Sequence, residues 1–318
     1  MDLTPHRIPG LPPTAYYIPS FISEAEEEYL LRKVRLQRST ESPRVEQLLM
    51  FSYCLPTDYR VSVAEMENGR NGPNLVERIA NITDVFRLQE TETAESDSPQ
   101  DGRPNQLLIN VYSAGQGISP HEDGAAYHPA VATLSLGSGQ CLDLYQYLSE
   151  TDPSPPLTNT MRDDVNIPSK HAAGTDDSPT KPKNGKAIAA VPLARVFLEP
   201  RSLFIMTGSL YQSHLHGISF SETDILTSLS AVRENTSTPA HEGGNTETSQ
   251  TSSSPLAVPV ANLPLLGDPQ ILKTIESEGS YRSERKTRVS LTFRKVERVL
   301  KGGLRAGMGK GLFGRGRR

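Results

Sequence analysis

Apolar and polar residues alternate along several short stretches of this chain, and the alternation predicts strands. Leu107, Ile109 and Val111 interleave with Leu108, Asn110 and Tyr112, which puts Asn110 and Tyr112 on one face. Near the far end, Arg288, Ser290, Thr292 and Arg294 share a face of another alternating run, with Val289, Leu291 and Phe293 on the other. Residues 127–136 and 141–145 alternate too, and Gly137-Ser138-Gly139 between them signals a hairpin. Residues 16–18, 195–199 and 202–206 read as further short strands. Helical spacing appears early. Ala25, Tyr29, Leu30 and Val34 predict a helix running to about Arg35, opened by Ser23 and Glu26 as a capping box. Leu75, Ile79, Ile82 and Phe86 predict a second helix over 74–86. Short strands with Gly and Pro turns, and helices confined near the N-terminus, imply a mainly β (α+β) chain. The expected core is a double-stranded β-helix, a cupin-like jelly roll with N-terminal supporting helices.

Candidate chemistry gathers where the alternation stops. After Gly115 and Gly117, His121 and Asp123 stand at i and i+2, so an extended backbone points both the same way and Glu122 the other. A His-x-Asp pair alone is a weak signal. A third ligand would complete a two-histidine, one-carboxylate facial triad, which leaves positions on Fe(II) open for substrate and O2. His214 and His216, after the strand 202–206, both offer it, and the residues alone leave that choice open. His128, between Tyr127 and Pro129, reads as a surface or supporting residue. Arg288 and Arg294 carry fork-shaped guanidiniums, which suit a dicarboxylate held bidentately.

The order N-x-Y, H-x-D, L-H-G-I and R-x-S-x-T-x-R resembles the AlkB family of Fe(II)- and 2-oxoglutarate-dependent dioxygenases. Within it, the chain is similar to the subgroup of the sixth AlkB homologue. That match rests on Y-Y-I-P-S-F-I-S-x-x-E-E-x-Y-L-L from Tyr16, P-H-E-D-G from Pro120, L-E-P-R-S-L from Leu198 and T-R-V-S-L-T-F-R-K-V from Thr287. The resemblance implies His121, Asp123 and His216 as iron ligands, since His216 precedes Gly217 and Ile218. It also implies that Arg288 pairs with the distal carboxylate of 2-oxoglutarate, with Asn110, Tyr112 and Arg294 completing the cosubstrate pocket. Ser290 stands where some relatives have Asn. The activity implied is hydroxylation or oxidative demethylation with O2 as second cosubstrate, releasing succinate and CO2, and formaldehyde where an N-methyl group is removed. A tryptophan-bearing nucleotide lid is implied over 39–74, yet the chain has no Trp and reads V-E-Q-L-L-M-F-S-Y-C-L-P-T-D-Y-R there.

Composition adds the boundaries. With 25 Pro, 24 Gly, 36% hydrophobic residues and a net charge of -4, the sequence implies a soluble chain with one core plus disordered material and no membrane association. Two cysteines, Cys54 and Cys141, exclude a disulfide scaffold and fit a reducing compartment, with Cys141 structural. The expected organisation is an N-terminal extension with helices and lid over 1–88, an acidic loop over 89–105, and the dioxygenase over 106–296. Disordered insertions are expected at about 149–187 and 233–254, where large apolar residues are scarce. The tail 297–318 is basic and Gly/Arg-rich, suited to sequence-independent phosphate contacts and to a nuclear address. The reading is thus a monomeric dioxygenase of nucleus and cytoplasm, acting on DNA or RNA through the pocket and tail. Two others stay open: a dioxygenase for a protein or small molecule, and a non-catalytic jelly-roll binding module.

Overall fold

The computed structural model describes residues 2–40, 51–54, 74–82, 103–104, 106–124, 127–149, 157, 186–229 and 258–296. Two antiparallel sheets carry the architecture. The larger has the order β1-β8-β5-β12-β3-β2, formed by Ala15–Ile18, Leu203–Thr207, Tyr127–Gly137, Arg288–Val296, Gln106–Tyr112 and Phe51–Cys54. The smaller has the order β4-β9-β6-β7, formed by Ile118–His121, His214–Ile218, Gln140–Gln146 and Ala194–Leu198. A separate ribbon pairs β10 (Thr223–Thr227) with β11 (Ser280–Glu284). From β3 onward the chain repeatedly crosses between the two sheets, the connectivity of a jelly roll.

The alternation read from the sequence fixes which face each strand buries. Val289, Leu291 and Phe293 of β12 join Leu107, Ile109 and Val111 of β3 in a core on the outer face of the larger sheet. Two helices cover that face. Helix α1 (Glu24–Thr40) contributes Leu30 and Val34, and α2 (Leu75–Ile82) contributes Leu75, Val76, Ile79 and Ile82. The capping box forms, since Ser23 N donates to Glu26 Oε2 at 2.7 Å and Glu26 N donates to Ser23 Oγ at 3.3 Å. Ala25, expected on the buried face, is exposed, because the buried stripe passes through Leu30 and Val34 instead. A second core, between the sheets, packs Tyr17, Tyr112, Phe204 and Met206 against Leu142, Leu144, Val196 and Leu198.

The expected hairpin at Gly137-Ser138-Gly139 does not form. β5 and β6 lie in different sheets, so these residues turn a corner of the jelly roll rather than reversing a ladder. Ser138 N donates to Thr287 O at 3.2 Å and Lys286 N donates to Ser138 Oγ at 2.9 Å, which clamps the corner onto the approach to β12. Gly137 has φ +82°, and a Cβ there would lie 2.6 Å from Thr287 O. A Gly137→Ala protein is therefore expected to lose about 1–3 kcal/mol through a left-handed backbone and a backbone clash, read as a lower urea midpoint with unchanged slope.

Several elements were not anticipated. Helix α4 (Pro269–Glu278) is capped by Asp268, which accepts from Gln270 N at 2.9 Å, and it covers Cys141 and Phe197 on the outer face of the smaller sheet. The β10–β11 ribbon is another, and Gly208–Ser213, expected as a turn, is a short helix. Cys141 is buried and free, its thiol pKa pushed up by burial, as a structural cysteine requires. Most of the 39–74 segment, Phe86, nearly all of the 89–105 loop and of the 149–187 insertion, the 233–254 insertion and the 297–318 tail lie outside the described residues. No described helix is long and apolar enough to cross a membrane.

Candidate metal centre and buried arginine

β4 and β9 run antiparallel with His121 directly opposite His216. Gly217 permits this close pairing, since a Cβ there would stand 3.0 Å from both Ile118 O and Pro120 N. The two imidazoles lie 4.4 Å apart, centroid to centroid, and Asp123 follows two residues after the end of β4. One ligand atom from each of His121, Asp123 and His216 falls within 4.8 Å of the others, the spacing a single metal ion needs.

Each member is prepared for that role by its neighbours. His121 Nδ1 lies 2.9 Å from Ser119 O, and a carbonyl only accepts, so Nδ1 carries the proton and Nε2 keeps a free lone pair. Burial, and then the neighbouring His121, hold the His216 pKa down to about 3, so its ring is neutral, the ligating form. Asp123 is 8% exposed. Its Oδ1 accepts from Arg294 Nη2, while its Oδ2 is buried with no hydrogen-bond partner. Tyr211 of helix α3 (Gly208–Ser213) donates its hydroxyl to the carbonyls of Asp123 and Gly124 at 3.4 and 3.2 Å, which fixes the turn behind the carboxylate.

The remaining candidates separate cleanly. His214 pairs with Gln146 and its Nδ1 lies 3.0 Å from Ser209 O, outside the cluster, so the open choice falls to His216. Glu122 points elsewhere and accepts from Tyr147 Oη at 2.9 Å. His128 is buried and outside the cluster.

The polar face of β12 meets the same space. Arg288 lies opposite Tyr112 on one side and Gly137 on the other, and Ser290 opposite Asn110 and Ser135. Arg288 is 2% exposed, donates from Nη2 to Ser135 Oγ at 2.9 Å, and sits 5.7 Å from the Tyr112 ring. Its Nε has no partner, and no carboxylate among the described residues is within ion-pairing distance. Burial lowers its pKa to about 10, which leaves it charged at neutral pH. Asp224, whose charge reaches Arg288, is already held by Arg285 through contacts of 2.6 and 2.7 Å and by Cys141 N at 3.2 Å. Asn110 Oδ1 and Arg294 Nε are also buried without partners, and Arg294 lies 4.9 Å from the Tyr127 ring.

The sequence reading named every member of the cluster and of this face but missed Ser135, Tyr211 and the Asp224–Arg285 pair. Ser135 could have been found, because it alternates with Thr133 on the inner side of β5. Nothing local flags Tyr211, or an Asp and an Arg that are 61 residues apart.

Comparison with known proteins bears on the same residues. A family model described as the 2OG-Fe(II) oxygenase superfamily matches residues 14–294. Probable RNA/DNA demethylase ALKBH6 of Danio rerio is 30% identical over 219 residues, which cover 69% of this chain and 74% of the relative. The tRNA (carboxymethyluridine(34)-5-O)-methyltransferase ALKBH8 of Macaca fascicularis is 26% identical over 219 residues, 69% of this chain but only 26% of that protein. Among solved structures, OsALKBH1 aligns with TM-score 0.36 and 13% identity over 91% of this chain and 99% of its own. HygX from Streptomyces hygroscopicus, with nickel and 2-oxoglutarate bound, aligns with TM-score 0.33 and 9% identity over 89% of this chain and 83% of its own.

Proposed function

The chain belongs to the 2OG-Fe(II) oxygenase superfamily and is an AlkB-type dioxygenase, and from that premise we propose that it oxidatively demethylates nucleic acid. One observation carries the site assignment: the strand whose Arg294 bonds Asp123 of the His–Asp–His cluster also carries Arg288, buried and without a carboxylate partner among the described residues. The donor set fits the cofactors. Two imidazoles and a carboxylate with a free buried oxygen suit Fe(II), and an unneutralised guanidinium suits a dicarboxylate.

In this proposal His121, Asp123 and His216 hold the iron, Arg288 takes the distal carboxylate of 2-oxoglutarate, and Asn110, Tyr112, Ser290 and Arg294 line the cosubstrate. Fe(II), when bound, supplies O2 activation and the oxidative decarboxylation of 2-oxoglutarate to succinate and CO2. The chain's own residues supply order. Tyr112 is buried with its pKa raised by that burial, so its phenol keeps its proton and can donate to a cosubstrate oxygen. Arg294 ties the metal ligand Asp123 to the β12 face, so ligand geometry and cosubstrate seating depend on one strand. The sheets exclude water from Arg288, which strengthens its attraction for a carboxylate.

The nucleic-acid part rests on the function printed for the Danio rerio relative and on the basic tail, which suits phosphate contacts. A methylated base would have to be single-stranded or extruded to reach the centre. The same tail supports a place in nucleus and cytoplasm, and we take the chain to act as a monomer. The test is succinate release by anaerobically iron-loaded protein, with and without methylated single-stranded DNA or RNA. Stimulation by one oligonucleotide, with equimolar formaldehyde, is the expected result. Succinate that no oligonucleotide stimulates would sink the nucleic-acid reading and turn the search to proteins and small molecules, for which the unmatched lid motif over 39–74 is the favouring observation.

A further inference from the structure

β6 opens on Gln140, a polar residue on a face that is otherwise apolar as far as Leu144. Leu142 and Leu144 belong to the core between the sheets, and Cys141 to the core under α4. The period of two therefore points Gln140 between the sheets, on the side where Tyr112 packs. Its place along that space is fixed by three contacts. Gly137, at the start of the same corner, pairs with Arg288, and Ser138 N donates to Thr287 O at 3.2 Å. The next backbone amide, Cys141 N, donates at 3.2 Å to Asp224, whose charge reaches Arg288. Gln140 Nε2 donates at 3.4 Å to Gln116 O, on the loop that leaves Tyr112 for β4, and the Tyr112 ring lies 5.7 Å from the Arg288 guanidinium. Gln140 thus stands at the Arg288 end of the space between the sheets, projecting from the smaller sheet as Arg288 projects from the larger.

The fold by itself gives no use for an amide there. Gln140 is 2% exposed, its Oε1 is buried with no partner among the described residues, and its one bond is long for an amide donor. The side chain offers two donors and two lone pairs, so most of its hydrogen-bonding capacity is buried unused, where an apolar residue of the same length would cost less. Arg288 Nε is buried without a partner as well. Unsatisfied polar atoms therefore come from both sheets at the same end.

We propose that Gln140 is a further cosubstrate-binding residue, whose amide donates from the smaller sheet to the distal carboxylate that Arg288 holds from the larger one. The inference rests on the assignment of Arg288 to 2-oxoglutarate. A guanidinium fork fills the carboxylate lone pairs on its own side and leaves others open. A neutral amide supplies a donor on the opposite side without burying a second charge. With Oε1 unbonded, the amide is free to turn about its last torsion, which is broad, and its second Nε2 hydrogen is available.

The test is titration of anaerobically iron-loaded protein with 2-oxoglutarate and with 2-oxopentanoate, which has a methyl group in place of the distal carboxylate. Dissociation constants are read, and no turnover is needed. Gln140→Met, similar in length and unable to donate, should weaken 2-oxoglutarate by roughly tenfold to a hundredfold, the size of one hydrogen bond to a charged group, and leave 2-oxopentanoate unchanged. Gln140→Glu would face the incoming carboxylate with a like charge and should weaken 2-oxoglutarate further still. The unliganded Gln140→Met protein should melt no lower than wild type, because no satisfied amide is lost. Equal losses for both probes would make Gln140 a structural residue of the β5–β6 corner, and no loss for 2-oxoglutarate would put its amide out of reach. Either result overturns the inference. Arg288→Met, titrated alongside, separates it from the site assignment. If Arg288→Met weakens 2-oxoglutarate and Gln140→Met does not, only the inference falls. If Arg288→Met binds 2-oxoglutarate as wild type does, the assignment of Arg288 falls and the inference with it.

Discussion

An Asp123→Asn protein is expected to fold, to lose Fe(II) on desalting, and to release no succinate above background. The substitution keeps the shape and keeps an oxygen for Arg294, whose bond to Oδ1 holds the side chain in place. It replaces the other oxygen, the buried Oδ2 that has no protein partner, with an amide nitrogen that cannot ligate a metal. Loss of a partner behind a metal ligand costs roughly 10–100-fold in affinity or activity, so loss of the ligand itself should exceed that and bring turnover down by more than about a thousandfold. His216→Ala should empty the site in the same way, and His214→Ala should retain its iron, because only the first lies in the cluster. Glu122→Gln is the control, since Glu122 lies between the two ligands in sequence and turns to Tyr147. Measured iron content across these four proteins tests the ligand set without requiring a substrate. Iron retained by Asp123→Asn but lost by Glu122→Gln would overturn it.

Much of this site was legible because it lies on two alternating strands. In β3 and β12 the period of two assigns Asn110, Tyr112, Arg288, Ser290 and Arg294 to one face, and the structure puts them there in direct register. His121 and Asp123 were legible for the same reason. What the sequence concealed depends on pairing between distant segments. Gly137-Ser138-Gly139 has the composition of a hairpin, but whether two strands flanking a turn share a sheet is decided by what else each can pair with. β5 is taken by β8 and β12, and β6 by β7 and β9. The Asp224–Arg285 pair shows the same limit, because side chains only 1% and 2% exposed meet from segments with no local pattern between them. That pair matters to the site. By occupying Asp224, the carboxylate among the described residues whose charge reaches Arg288, Arg285 leaves the buried guanidinium for an incoming anion.

Arg288→Met should therefore make the unliganded protein more stable and the enzyme far worse. A buried charge without a carboxylate costs stability, and replacing such a group with an apolar side chain of similar length typically returns about 1–4 kcal/mol, so the melting temperature without ligand is expected to rise. Ser135 loses a donor in the exchange, which trims that gain by about 1 kcal/mol. The cosubstrate then has nothing to neutralise. Removing one partner of a buried charged hydrogen-bonded pair costs about 2–5 kcal/mol of binding, so the KM for 2-oxoglutarate should rise by roughly a hundredfold, with iron content unchanged. Added 2-oxoglutarate should stabilise the iron-loaded wild-type protein against heat and do much less for the variant, because a ligand stabilises only as far as it binds. The two effects have opposite signs, and a residue serving only the fold cannot produce both. If Arg288→Met lowered the melting temperature without ligand and left the 2-oxoglutarate KM where it was, the guanidinium would be a structural strut bonded to Ser135, and the dicarboxylate would have to be sought elsewhere along β12.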